Sequence, residues 1–114
     1  MNESILESIK QMLGITPDYT VFDQDIVILI NSAFFTLEQL GVGVKKHFKV
    51  DGNTTTWDDY FNGSDANNES VKEYIFLKVK IVFDSSTMQS SVLNAYKDEI
   101  HELEWRLQLE NEQY

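Results

Sequence analysis

The chain has 114 residues, 42% of them hydrophobic, and its 19 acidic residues outnumber 9 basic ones to give a formal net charge of −10. That length suits one domain able to withdraw about two thirds of its extended-chain surface from water, and the acidic excess argues against a surface that grips nucleic acid. Zero cysteines exclude disulfides and thiol chemistry, the opening MNESILESIKQ lacks the basic start and apolar run of a signal peptide, and no apolar stretch reaches the roughly 18 residues that span a bilayer. The expectation is a soluble, intracellular-type protein without a membrane partner.

Ser4 and Glu7 form an S-x-x-E capping box ahead of Ile5, Leu6, Ile9, Met12 and Leu13 at helical spacing. Gly14 ends that first helix, and Pro17, the only proline, keeps it ended. Asp18 or Asp23 caps a second helix, Asp25 to Leu40, closed by Gly41. Its run Ile26–Ile30 is β-branched enough to suit a strand. The continuation through Ala33, Leu37 and Leu40 decides for helix.

Residues 41–63, GVGVKKHFKVDGNTTTWDDYFNG, change character. Asp51-Gly52 is a two-residue hairpin signal between His47–Val50 and Asn53–Trp57. Thr56 then caps a single helical turn, Trp57–Phe61, with Asp58 and Asp59 near its positive end. An insert this short has no core of its own. It must lie on the helices or reach for a partner, and Val44, Phe48 and Trp57 are its candidate contact residues.

Asn67 and Asn68 are placed to cap a third long helix. From Val71 onward, Tyr74, Ile75, Leu77, Val79, Ile81 and Val82 cover more than half its circumference, so neighbours are expected on several sides. Phe76 and Phe83 instead fall on the narrow polar stripe with Glu69, Lys72, Glu73, Lys80 and Asp84. The Asp84–Thr87 segment breaks the pattern, and Ser90 or Ser91 caps the last helix. There Leu93, Tyr96, Ile100, Leu103 and Leu107 repeat with 3-4 spacing, one straight seam. Trp105 and Leu109 lie opposite that seam, and Glu102 can pair with Arg106. Residues 108–114 read as a polar tail with Leu109 and Tyr114 as apolar anchors. The whole predicts a mainly α fold over 1–114: a single domain, a small bundle of about four helices with a β-hairpin-like insert between helices 2 and 3. Phe76, Phe83, Trp105 and Leu109 are surplus to its core and are candidates for contact with other chains.

Chemistry is hard to find. HELEW at 101–105 is not HExxH, since Trp105 stands where a second ligand would be. Asp23-Gln24-Asp25 and Asp58-Asp59 do not continue into a calcium loop. Gly41-Val42-Gly43 lacks the third glycine of a phosphate loop, and no G-x-S-x-G elbow exists. Lys78, on an apolar face, reads as a snorkelling or ion-paired side chain rather than a catalytic one. No catalytic, cofactor-binding or metal-binding residue is assigned, and no enzyme is expected.

The opening helix with LGI, then TTTWDDYFNG, VKEYIFLKVKIVFD and VLNAYKDEIHELEWRLQLE, together resemble the head–tail connector family of long-tailed bacteriophages, also called head-completion or adaptor proteins. One departure is Ser85-Ser86, where prolines are expected in the interhelical turn. The resemblance implies a structural virion protein at the head–tail interface, assembled in the host cytoplasm. Such a protein docks on the portal protein after DNA packaging, beside copies of itself in a ring of about twelve. It links the head to the next head-completion or tail protein, and DNA passes through without sequence-specific binding. An alternative from composition is an acidic DNA mimic that occupies a nuclease or repressor. It needs one continuous carboxylate surface, whereas acids and lysines are interspersed here.

Overall fold

The computed structural model describes residues 3–42, 47–62 and 68–112. The Ser4 hydroxyl accepts the Glu7 N–H at 3.2 Å and starts α1, Ile5–Leu13. Gly14 ends it at φ 84°, in the left-handed region, where Gly14 and Ile15 donate back to Gln11 and Lys10. Helix α2 runs Asp23–Gln39 and stops the same way: Gly41 at φ 81° and Val42 donate to Glu38 and Leu37. Its N-terminus differs from expectation. The cap position is Phe22, with no side-chain hydrogen bond, and Asp23 is already helical.

Thr56 caps the short α3, Trp57–Phe61, in a full capping box with Asp59. Helix α4 covers Asn68–Phe83; Asn68 is its first residue rather than its cap, and Asn67 lies outside the described residues. A 3-10 turn, Ser85–Thr87, leads to α5, Ser90–Glu112. Helix α5 thus continues through most of the segment expected as a tail.

The expected hairpin insert is absent: the fold is all-α, with five helices and no strand among the described residues. Two hydrogen-bonding competitors explain the difference. The Asn31 amide of α2 captures both backbone groups of Val50, accepting its N–H at 2.7 Å and donating to its carbonyl at 3.1 Å. The other would-be strand pairs with the chain start instead, through Ile5 N–H to Thr55 O (3.0 Å) and Trp57 N–H to Glu3 O (3.1 Å), an isolated Ser4–Thr56 bridge. Asp51 and Gly52 are not among the residues of positive φ, which the favoured two-residue hairpin turn needs at both positions. The described part of the insert lies on the helices, with Val50, Trp57, Tyr60 and Phe61 buried in the core.

Helix α4 is the centre. It packs against α2 and α5, and α1 lies over α2 and α4. The short turn joins the end of α4 to the start of α5, and Tyr74 in the middle of α4 donates to Glu104 in the second half of α5 at 2.7 Å, so the two helices run antiparallel. The result is a slab of 39 × 35 × 21 Å. Among the described residues one charge is inside it: Lys10, 1% exposed, meets the Asp23 carboxylate at 2.7 Å and donates to the Pro17 carbonyl at 3.1 Å. It ties α1 to the start of α2.

The Asn31 clamp gives a direct test. Asn31→Ala leaves the Val50 N–H and carbonyl without their partners in a part-buried place. It is expected to cost about 2 kcal/mol in urea unfolding, whereas an exposed polar position such as Ser32 should tolerate alanine within about 0.5 kcal/mol.

Candidate protein-contact surfaces

Helix α2 turns Ile26, Ile30, Ala33, Phe34 and Leu37 inward. That periodicity forces Ile28 and Phe35, seven residues apart, onto the opposite face, where they are 61% and 57% exposed. At the edge where α2 meets the end of α4, Val82 is also exposed. Phe22 meets Phe83 edge-on at 5.3 Å, and Tyr19 extends the cluster at 5.9 Å from Phe22. Between them lies a shallow depression lined by Phe22, Asp25, Ile28, Leu29, Val82 and Phe83.

The second surface is on α5. Ile100, Leu103 and Leu107 are buried and Leu93 and Tyr96 half-buried, as the seam predicts. Trp105, 63% exposed, and Leu109 project from the far side. Beside them Arg106 reaches Glu102 at 3.5 Å and Glu99 at 3.8 Å.

The remaining contact candidates sit elsewhere. Phe76 is half-buried, with the Lys80 ammonium 5.8 Å above its ring; Lys80 also pairs with Asp84 at 3.0 Å. Phe48 is half-buried, edge-on to Phe34 and Tyr60. Trp57 is spent inside the single chain: it is 3% exposed, and its indole N–H donates to Ser8 Oγ at 2.7 Å. Val44 and Tyr114 lie outside the described residues. Of the six candidates among the described residues, Trp57 is buried in the core, Phe48, Phe76 and Phe83 pack partly against it, and Trp105 and Leu109 stand free of it. Tyr19, Phe22 and Ile28 were not singled out as contact residues by sequence, and Val82, expected on the covered arc of α4, is exposed instead. The spacing of Ile28 and Phe35 against the inward set was the signal that could have found Ile28.

Charged and polar groups inside the fold are structural. Burial, then the hydrogen bond to Glu104 and its charge, holds the Tyr74 hydroxyl far above the usual phenol range. Burial pushes Tyr60 up to about 12. Both phenols stay neutral across physiological pH. Between α4 and α5, burial and the neighbouring Glu99 raise Glu73, while Arg106 pulls the other way. The groove between α1 and α4 contains Ser8, whose hydroxyl already donates to Ile5 O and accepts from Trp57. Among the described residues no three His, Cys, Asp or Glu side chains gather as a metal site, and no helix is long and apolar enough to cross a membrane.

The described residues form an all-α slab with apolar side chains projecting from its outer faces, and no metal-site cluster is found among them. The chain matches the phage connector protein family over residues 5–114, and it belongs to that family. No curated protein and no solved structure gives a significant match.

Two measurements follow from this geometry. Because Trp105 contributes to no core, Trp105→Glu is expected to leave the melting of the free chain within about 0.5 kcal/mol of wild type; unfolding of the variant would place the indole in the core. Glu73 titrates higher in the folded chain than in the unfolded one. Its contribution to stability is therefore complete below the ordinary carboxylate range and lost as pH rises through its raised value. Glu73→Gln should slightly stabilise the chain at pH 7, solvent screening keeping the effect small, with the gain vanishing at acid pH in urea titrations.

Proposed function

We propose that the chain is a head–tail connector of a long-tailed phage, a head-completion adaptor acting as one domain over residues 1–114. It docks on the portal protein once DNA is packaged, stands beside copies of itself in a ring, and presents a surface to the next head-completion or tail protein. Its place is the head–tail interface of the virion, reached from the host cytoplasm during assembly. Membership of the phage connector family over residues 5–114 carries this reading.

Two physical features support it. The exposed apolar groups on α2, α4 and α5 are surface that a solitary chain has no use for. The net charge of −10 repels phosphates, so DNA can slide past without sticking. Residues 108–114, with Leu109 and Tyr114, serve in this reading as a docking tail.

The test uses the portal of the same phage. Purified chain should co-sediment with portal rings and add a ring of density beneath them in electron micrographs. Phage lacking the chain should yield DNA-filled heads without tails. Failure to bind the portal, together with a normal yield of tailed infectious particles, would overturn the proposal.

A further inference from the structure

Helix α4 separates the two apolar surfaces. Helices α2 and α5 both pack on α4, the outer face of α5 carrying Trp105 and Leu109 and the α2–α4 edge carrying the depression. The antiparallel pairing also sets them at opposite ends, since Trp105 and Leu109 lie beyond Glu104 while Val82 and Phe83 end α4. The two surfaces differ in shape: one is a projecting indole, the other a depression.

We propose that Trp105 and Leu109 of one copy seat in the α2–α4 depression of a second copy, head to tail; the inference rests on the proposed ring for its setting. The chemistry of the two sides matches. The indole carries an N–H donor out of the protein, and a buried indole needs an acceptor. Asp25, exposed on the rim of the depression, is an acceptor only. The rest of the depression is ring and aliphatic carbon, suited to the indole face and to Leu109. Self-pairing fits worse in shape: two depressions leave a gap that no side chain fills, and two projecting indoles find no recess.

Area sets the strength. Tyr19, Phe22, Ile28 and Val82 together expose on the order of 400 Å². A standard interface takes about 800 Å² from each partner. The contact is therefore weak between free chains and accumulates when copies are lined up side by side. Because each copy keeps a free knob and a free depression, the contact propagates, closing into a ring if the rotation allows.

The absence of cysteine makes the test clean. Val82→Cys and Leu109→Cys are made in separate chains, both at exposed positions. The two are mixed in equal amounts and oxidised, once concentrated and free and once bound to portal. The mixed disulfide is expected to form at least about tenfold faster than either like pair, because only that pairing holds the thiols within bonding reach. Adding Trp105→Glu to the Leu109→Cys chain should remove the preference. Equal rates for all pairings, or an excess of a like pair, in both settings would overturn the proposal. Portal co-sedimentation of wild-type chain is read in parallel. Binding without the mixed cross-link defeats the pairing and leaves the connector reading intact. The mixed cross-link without portal binding does the reverse.

Discussion

Helix α4 cannot be covered from one side. Tyr74, Ile75 and Val79 are fully enclosed, with Val71 and Leu77 nearly so, and they point in several directions around the helix. Each such side chain contributes about 1.5–3 kcal/mol when withdrawn from water, so the fold must bring a helix to each flank. Helix α2 takes one and α5 the other. The remaining elements adapt to that arrangement. The 3-10 turn after Phe83 reverses the chain, and the Tyr74–Glu104 hydrogen bond holds α5 alongside. Helix α1 and residues 47–62 close what is left, through Trp57, Tyr60 and Phe61.

Local signals were legible where local chemistry decides. The Ser4 and Thr56 caps, the glycine stops at Gly14 and Gly41, the α5 seam and the central position of α4 are each visible within a few residues of sequence. The hairpin failed because its competitor is remote. Asp51-Gly52 is a sound turn signal, but Val50 gives its backbone groups to Asn31, 19 residues earlier, and the second strand goes to Ser4 and its neighbours. No local pattern announces a side-chain amide that substitutes for a strand.

Lys10 shows the same limit from the side of charge. Nothing in its surroundings along α1 marks it as buried, since its partners, Pro17 and Asp23, come from the following loop and helix. A buried ion pair of this kind adds little net stability but penalises loss of one partner heavily, so it fixes where α1 meets α2. Trp57 and Trp105 make a related contrast. Both precede or sit among acids in the sequence, yet one is enclosed and the other stands in solvent. Only the α5 seam, which leaves Trp105 on the wrong face for the core, distinguishes them. The surplus apolar surface is thus a consequence of complete internal packing: α2 and α5 satisfy α4 with one face each, and apolar side chains on their outer faces stay exposed.

Hydrogen exchange on the free chain and on the chain mixed with the portal of the same phage, the proposed partner, tests this division most directly. The account predicts that α4 amides are already protected to the level of global unfolding in the free chain and change little on binding. New protection should appear at the start of α2, near Asp23–Leu29, and along α5 near Glu102–Leu109. Fast exchange throughout α4 in the free chain, with protection acquired only on the portal, would contradict it, because the core would then depend on the partner rather than precede it.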